Sequence, residues 1–143
     1  MRMFLPAGFA VLLAAGAAGW LPAGVPMEAG KLALEDKSEL TYTIALPRDG
    51  KDMKRPMPLI VSLHYGWRGE RPARYGEGLV RQLIQPAFAR LHAVIAAPDC
   101  PGNSWTEPRS EEAVLALVRS LRERYPIDPR RVALKRVMDM NDR

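Results

Sequence analysis

The sequence predicts an α/β protein in which an antiparallel hairpin precedes parallel strands that are joined by two crossover helices. Continuous apolar runs at residues 59–63 and 93–97 lie between turn residues, as expected of strands buried on both faces of a parallel sheet. Each run is followed by apolar residues at helical spacing, over 79–91 and 110–125. A third buried strand is expected to start at 132–134, and this alternation of strands and helices indicates a parallel sheet with right-handed crossovers.

Local signals predict where these elements begin and end. Residues 40–46 alternate large apolar with small or hydroxylated side chains, which is typical of a half-buried strand, and residues 31–35 are its expected hairpin partner. Pro86 predicts a kink in the first helix. Ser110 is the expected N-cap of the second helix, and Pro126 is expected to end it.

The composition is that of a globular protein with a mildly basic charge. The 143 residues have room for one domain, and the apolar and charged fractions of 48% and 26% are ordinary. The net charge of +5 is spread along the chain without a basic stripe or a nucleic-acid-reading motif, so we expect no nucleic-acid partner. The single cysteine, Cys100, cannot form an internal disulfide. No histidine stands near it in the sequence, which favours a buried hydrophobic role over a nucleophile.

The first 20 residues have the order of a secretory signal peptide. After Arg2 no charged residue occurs before Glu28, and an apolar stretch at 9–15 is followed by small residues with an expected cleavage point near Ala17. We therefore predict a secreted or periplasmic protein. An uncleaved membrane anchor is the alternative, although prolines and many glycines and alanines disfavour a stable spanning helix.

Four short sequence segments occur in order along the chain: Y-T-I-A-L-P at 42–47, P-L-I-V-S-L-H at 58–64, V-I-A-A-P-D at 94–99 and Y-P-I-D-P-R-R-V-A-L at 125–134. In order and spacing they resemble the α/β-hydrolase family, in particular the secreted serine esterases related to dienelactone hydrolase and polyhydroxybutyrate depolymerase. The resemblance implies that residues 31–134 form the N-terminal part of an α/β-hydrolase domain. It also implies that residues 135–143 are a tail unrelated to that family.

The catalytic serine of the family has no counterpart in the sequence. The resemblance places a Gly-x-Ser-x-Gly elbow directly after the strand at 131–134, where this chain reads K-R-V-M-D-M-N-D-R and ends. The acidic residue and the histidine of the family's triad follow the serine in chain order, so they have no counterparts either. Ser104, in G-N-S-W-T, lacks the final glycine and the strand–turn–helix setting of an elbow. Neither His64 nor His92 has an acidic residue placed to orient it.

We therefore expect the N-terminal part of a secreted serine esterase, truncated before the nucleophile elbow and inactive by itself. For the intact relative, the resemblance implies hydrolysis of a small-molecule ester by serine acylation and deacylation, without a metal or an organic cofactor. Two alternatives stay open: a non-catalytic ligand-binding module, and a chain completed by a separate polypeptide. The strand at 132–134 is expected to be an exposed sheet edge that invites self-association.

The loop after the strand at 59–63 is the candidate site. In the resembling enzymes this loop supplies one backbone N–H of the oxyanion hole, while a structural turn that needs a glycine is the alternative here. The oxyanion-hole candidates are Tyr65, Gly66 and Trp67. The candidates for the rim of the pocket are His64, Trp105 and Thr106. Asp99 is expected to accept hydrogen bonds from loop N–H groups and not to act as an acid or base.

Overall fold

The computed structural model describes residues 26–47, 54–65, 74–84, 87 and 91–136. Over these ranges the chain forms a mixed sheet of five strands in the order β1-β2-β4-β3-β5. The strands are β1 (Met27–Ala33), β2 (Glu39–Ala45), β3 (Met57–Leu63), β4 (Val94–Pro98) and β5 (Ile127–Arg136). The helices are α1 (Tyr75–Leu79), continued by a π-helical turn (Val80–Ile84), and α2 (Pro108–Arg124). The predicted α/β class, with a hairpin before parallel strands, is confirmed.

The predicted hairpin forms, but its first strand covers Met27–Ala33 and not the expected residues 31–35. β1 and β2 pair antiparallel over their whole length. In the turn between them, Lys37 adopts a left-handed conformation with φ 66°, and the carboxylate of Asp36 accepts a hydrogen bond of 2.9 Å from the backbone N–H of Ser38. β2 also pairs antiparallel with β4, which pairs parallel with β3. The hairpin tip therefore lies at the same edge of the sheet as the carboxyl ends of β3 and β4.

A helical layer packs on each face of the sheet. Successive residues of a strand point to opposite faces, so Leu59 and Val61 of β3 pack toward α2, whereas Ile60 packs toward α1. The core on the α2 face consists of Leu40, Tyr42, Ile44, Leu46, Met57, Leu59, Val61, Leu63, Val94, Ala96, Ala113, Leu117, Leu121 and Ile127. The core on the α1 face consists of Ala45, Ile60, Leu79, Val80, Ile84, Ala93, Ile95 and Ala97. The three layers explain why β3 and β4 are apolar except at Ser62, since strands covered on both faces carry near-continuous apolar runs.

The first helix begins earlier than the sequence predicts. It starts at Tyr75 and not at the expected Leu79. The local sequence is rich in glycine, which is a poor helix former. Gly76, however, lets the backbone of α1 approach β4, since a Cβ at this position would lie 2.5 Å from the carbonyl oxygen of Ala97. The tertiary contact therefore decides where the helix starts, and the kink predicted at Pro86 lies outside the described residues.

The prediction that Ser110 caps the second helix is wrong. α2 begins at Pro108, and Glu107 takes the extended N-cap conformation with φ −75° and ψ 139°. Proline suits the first turn because the backbone N–H that it lacks has no partner there. Ser110 lies instead on the inner face of α2, fully buried, with its hydroxyl 3.6 Å from the sulfur of Cys100. Leu117 and Leu121 of the expected apolar face are buried, and the buried Ala113 was not expected there. The other residues expected on this face are partly buried against the core: Val114, Val118 and Tyr125.

The last strand is longer and more exposed than predicted. β5 begins at Ile127 and pairs parallel with β3, and it is the edge strand of the described sheet. The pairing is irregular at residues 128–131, which bulge opposite Pro58. Val132 and Leu134 are 38% and 62% exposed, so the expectation of a buried strand is wrong and the expectation of an exposed edge is confirmed. β5 includes Lys135 and Arg136, two residues of the segment expected to be a tail.

The signal segment predicted at 1–20 and residues 137–143 lie outside the described ranges. Within those ranges, no helix has both the length and the hydropathy to cross a membrane.

Candidate functional site

The loops that follow β3 and β4 meet at one edge of the sheet. His64 and Tyr65 come directly after β3, and residues 99–107 lead from β4 into α2. The start of α1 lies at the same edge, since the ring of Tyr75 contacts the ring of His64. Ligands of open α/β sheets bind outside the carboxyl ends of the strands, so these residues form the candidate site.

His64 is a buried residue whose two ring nitrogens both bind the backbone. Its side chain is 3% exposed, and Nε2 lies 3.1 Å from the backbone nitrogen of Cys100. A backbone N–H can only donate, so Nε2 accepts and Nδ1 carries the proton of the neutral ring. Nδ1 then donates to the carbonyl oxygen of Tyr65 at 2.7 Å. These bonds fasten the loop after β3 to the loop after β4, and they leave the ring without a lone pair with which to accept a substrate proton.

Trp105 also binds the loop after β3, whereas Thr106 does not. The indole Nε1 of Trp105 donates to the carbonyl oxygen of His64 at 2.8 Å. The Thr106 hydroxyl forms a hydrogen bond of 2.8 Å with the hydroxyl of Ser104, and the backbone N–H of Thr106 donates to the same oxygen at 3.2 Å. Ser104 therefore stabilises a turn in the loop between β4 and α2, as its sequence context predicted, and is not mounted on a strand-to-helix elbow.

Four aromatic rings lie side by side at this edge, and we call them the aromatic row. Its members in spatial order are Tyr65, Tyr75, His64 and Trp105. Successive ring centroids are 5.4, 4.8 and 5.1 Å apart, with interplanar angles of 87°, 77° and 64°. These are edge-to-face contacts, the arrangement that aromatic quadrupoles favour. The sequence analysis missed Tyr75, because it stands in a polar, glycine-rich stretch with no periodic signal.

Asp99 connects three elements at the same edge. Its Oδ2 accepts a hydrogen bond of 2.7 Å from the Thr41 hydroxyl of β2, and its Oδ1 accepts one of 2.9 Å from the backbone N–H of Gly76 in α1. Both carboxylate oxygens of Asp99 thus connect the loop after β4 to neighbouring elements, β2 and α1. The prediction that Asp99 accepts a hydrogen bond from a backbone N–H is confirmed, but that N–H belongs to Gly76 of α1 and not to a loop. The second donor, the Thr41 hydroxyl, was not expected.

Cys100 is buried, as expected, but a histidine does lie beside it. The structure corrects the sequence-based view on this point, because His64 contacts Cys100 across 36 positions of the chain. The contact is made by the backbone N–H of Cys100 and not by its sulfur, which lies near the Ser110 hydroxyl. The geometry therefore fits a buried packing residue.

The remaining candidates fall partly outside the described residues. Tyr65 is half-buried at the end of β3, and Gly66 and Trp67 are not among the residues that the structure describes. The role of these three residues in an oxyanion hole stays a prediction. His92 is exposed just before β4, in agreement with the sequence analysis.

A cavity of about 240 Å³ lies at the hairpin tip, apart from the aromatic row. Its floor is apolar and includes Leu34 and Ala113, and its walls carry the ion pair between Asp36 Oδ2 and Arg109 Nε, at 3.1 Å. The pKa of Asp36 is lowered, chiefly because its carboxylate accepts hydrogen bonds from the side chain and backbone of Ser38. No member of the aromatic row lines this cavity.

Solved esterases share the fold of the described residues. A thermostable esterase is similar over 78% of the chain, with 23% sequence identity and a TM-score of 0.59. A ferulic acid esterase is similar over 79% of the chain, with 16% identity and a TM-score of 0.58. An S-formylglutathione hydrolase from Agrobacterium tumefaciens is similar over 79%, with 18% identity and a TM-score of 0.54. No protein-family model and no curated protein matches the chain.

These likenesses establish the fold. The chain spans 34%, 50% and 49% of the lengths of the three solved proteins, so it matches only part of each. Its five-stranded mixed sheet with a helical layer on each face is a partial α/β-hydrolase fold of the esterase-like kind, as the sequence resemblance implied.

Proposed function

We propose that this chain is the N-terminal part of an exported carboxylic-ester hydrolase that uses a serine nucleophile, and that it does not hydrolyse esters by itself. One observation carries the proposal: in a fold shared with esterases, His64 connects the loops that follow β3 and β4 at the carboxyl edge of the sheet. The four sequence segments between residues 42 and 134 support a hydrolase of the dienelactone hydrolase or polyhydroxybutyrate depolymerase type. The substrate would be a small-molecule ester.

In this proposal, the loop that begins at Tyr65 supplies one donor of the oxyanion hole. His64 holds the carbonyl of Tyr65 with a hydrogen bond of 2.7 Å, which limits the rotation of the peptide that follows. A donor fixed in advance stabilises the negative charge that develops on the substrate oxygen in the transition state, and losing one donor lowers kcat by about 10²–10³. Tyr65, Gly66 and Trp67 remain the candidates for that donor.

The hydrogen bonds of the site support inactivity of the chain alone. Both ring nitrogens of His64 are held by backbone groups, so His64 is a framework residue and not a general base. The Ser104 hydroxyl bonds Thr106 within an exposed turn. The sequence holds no Gly-x-Ser-x-Gly segment that would lift a serine above the sheet.

A paired ester assay tests the proposal. The 143-residue chain is compared with a version extended through the downstream reading frame as far as a Gly-x-Ser-x-Gly segment, with a short p-nitrophenyl ester as substrate. We expect turnover only by the extended version, and no turnover when its elbow serine is replaced by alanine. Labelling of the 143-residue chain by a serine-directed phosphonate, at a rate typical of esterases, would refute the proposal.

Two other functions predict different results in binding, labelling and purification experiments. A non-catalytic binding module is favoured by the aromatic row, in which Tyr65, Tyr75 and Trp105 are only half-buried, and it predicts ligand binding without phosphonate labelling of any extended version. A chain completed by a separate polypeptide predicts that the partner co-purifies and restores ester hydrolysis to the 143-residue chain.

Export is proposed from the N-terminal sequence. Residues 1–20 have the basic, apolar and small-residue regions of a signal peptide. Expression with and without these residues, followed by fractionation, tests this part. We expect the chain expressed with residues 1–20 to be found outside the cytoplasm with an N-terminus near residue 18. An intact N-terminus in the membrane fraction would instead identify an anchor.

We also propose self-association through the edge of β5. Leu134 is 62% exposed on a strand whose outer side has no strand partner in the described sheet, while Lys135 and Arg136 limit the pairing by charge repulsion. Sedimentation velocity of Leu134→Lys should show less self-association than the wild-type chain. Leu115→Lys, at a leucine that is 50% exposed on α2, is the control, and equal effects of the two substitutions would overturn the proposal.

A further inference from the structure

The cavity at the hairpin tip has two walls that the chain itself holds together. Residues 34–36 of the hairpin form one wall, and α2 forms the other. Asp36 joins them, because its Oδ1 accepts hydrogen bonds from the backbone N–H and the hydroxyl of Ser38 while its Oδ2 pairs with Arg109 Nε at 3.1 Å. The ion pair lies at the end where α2 begins. The cavity therefore exists before any ligand binds, as is usual for small-molecule sites.

The floor of the cavity is apolar, and its size suits a small ligand. Leu34 packs against the core on the α2 face, Ala113 is buried, and Ala116 is half-buried between them and the solvent. The volume is about 240 Å³. Since a cavity of about 150 Å³ holds one benzene molecule, this volume suits a ligand of about nine non-hydrogen atoms.

Opposite charges lie at the two ends of the α2 wall. Glu112, Ala116 and Arg119 are spaced i, i+4 and i+7, so they follow one line along the helix, and all three line the cavity. Seven residues of helix separate Glu112 from Arg119 by about 10 Å along the axis. Glu35 adds a second carboxylate toward the end of Glu112, since its neighbour Asp36 contacts α2 one turn before that residue.

These three charged side chains are available to a ligand, unlike the ion pair that joins the walls. Within the part of the chain that the structure describes, Glu35, Glu112 and Arg119 form no ion pair, and all three are exposed. A ligand with a single charge would meet an opposite charge at one end of the cavity only. A ligand with an ammonium group at one end and a carboxylate at the other would meet one at both ends.

We propose that the cavity binds a small linear zwitterion, an ω-amino carboxylate. Its ammonium group faces the carboxylates of Glu35 and Glu112, its carboxylate faces the guanidinium of Arg119, and its methylene chain covers the apolar floor. The site is separate from the aromatic row, and the binding requires no catalytic serine. It is therefore a second site of the molecule, with a ligand class that an ester-hydrolase fold does not imply.

Three ligands with the same number of non-hydrogen atoms test the proposal. 6-Aminohexanoate carries both charges, 6-aminohexanamide only the ammonium group, and 6-hydroxyhexanoate only the carboxylate. Each is titrated into the full 143-residue chain at low ionic strength, and its dissociation constant is measured by ligand-observed NMR. Because the added ion pair is exposed, we expect 6-aminohexanoate to bind about 1.5- to 5-fold more tightly than either of the others.

Salt provides a second measurement on the wild-type chain. The advantage of 6-aminohexanoate should shrink at about 1 M NaCl, where the screening length falls to about 3 Å. Absence of saturable binding of 6-aminohexanoate, or an affinity no higher than those of the two singly charged ligands, would overturn the proposal. Neither result depends on the folding of a variant.

Charge-neutralising variants locate the binding on α2. Arg119→Gln should remove the advantage over 6-aminohexanamide, and Glu112→Gln should reduce the advantage over 6-hydroxyhexanoate. Arg122→Gln and Glu111→Gln are the matched controls, at exposed positions of the same helix that do not line the cavity, and they should keep both advantages. Advantages that survive the first two substitutions, or that the controls remove equally, would overturn the assignment. These titrations measure no turnover, so their outcome is independent of the ester assay.

Discussion

Substitution of Gly76 by alanine should destabilise the chain, although alanine is the better helix former. The added Cβ would lie 2.5 Å from the carbonyl oxygen of Ala97 and 3.2 Å from the Ala97 Cβ. Ordinary contacts require about 3.5 Å, so α1 must withdraw from β4 by about 1 Å. The hydrogen bond of 2.9 Å from the Gly76 N–H to Asp99 would lengthen beyond its working range.

The expected magnitude follows from three contributions. Overpacking costs about 1–3 kcal/mol, and loss of a hydrogen bond to a carboxylate costs about 1.5–3 kcal/mol. The gain in helix propensity offsets at most about 1 kcal/mol of this. We therefore expect Gly76→Ala to lower the free energy of unfolding by about 1.5–5 kcal/mol.

Gly78 is a matched control in the same helix. It is exposed, and a Cβ there would meet nothing within 4 Å, so Gly78→Ala should leave stability unchanged or raise it by up to about 1 kcal/mol. Urea unfolding of both variants, followed by circular dichroism, measures the difference. A Gly76→Ala variant as stable as Gly78→Ala would refute the close approach of α1 to β4.

Three further substitutions test the buried polar groups and the hairpin turn. The Ser62 hydroxyl is fully buried and has no hydrogen-bond partner among the described residues. Ser62→Ala should therefore raise the free energy of unfolding by about 1 kcal/mol, whereas Ser110→Ala should not raise it. Equal effects of the two substitutions in urea unfolding would contradict this. His64→Leu removes the hydrogen bonds to the Tyr65 carbonyl and the Cys100 N–H, and it should lower the free energy of unfolding by about 2–4 kcal/mol. The control His92→Leu, at an exposed position, should lower it by about 0.5 kcal/mol or less. Similar losses in the two variants would count against the framework role of His64. The lowered pKa of Asp36 means that its stabilising effect is complete above the ordinary carboxyl pKa and is lost as the pH falls through the lowered value. The urea midpoints of wild type and Asp36→Asn should therefore differ at pH 6, and the difference should shrink as the pH falls below the ordinary carboxyl pKa. A difference that stays constant as Asp36 is protonated would contradict this.

The elements of the fold that the sequence predicted are those set by local pattern. The alternation in β2 and the apolar runs of β3 and β4 are visible in a few consecutive residues, because burial on one or two faces dictates period two or a continuous run. The inner face of α2 was predicted for the same reason. A turn with Asp36 and Ser38 between two strands indicated the hairpin.

The starts of the two helices were missed because contacts distant in sequence decide them. A capping serine is a local preference of about 1 kcal/mol, and Pro108 provides an alternative start that leaves Ser110 on the buried face. In α1, Gly76 looks like a loop residue in the sequence. In the fold it is the residue that permits contact with Ala97.

The candidate site could be located from the sequence, but the roles of its side chains could not. That His64, Trp105 and Asp99 follow β3 and β4 was enough to place them at one edge. Each of them has a main-chain partner 23 to 41 positions away, and such partners leave no trace in sequence spacing.

The three side chains have one feature in common that bears on function. Each uses polar atoms to hold backbone: His64 holds Tyr65 and Cys100, Trp105 holds the His64 carbonyl, and Asp99 holds the start of α1. Polar atoms bound in this way stabilise the loops in one arrangement and are unavailable for proton transfer. Loops held in one arrangement are suited to positioning a substrate, so under the proposed function this edge fits the positioning half of an ester-hydrolase site better than its reactive half.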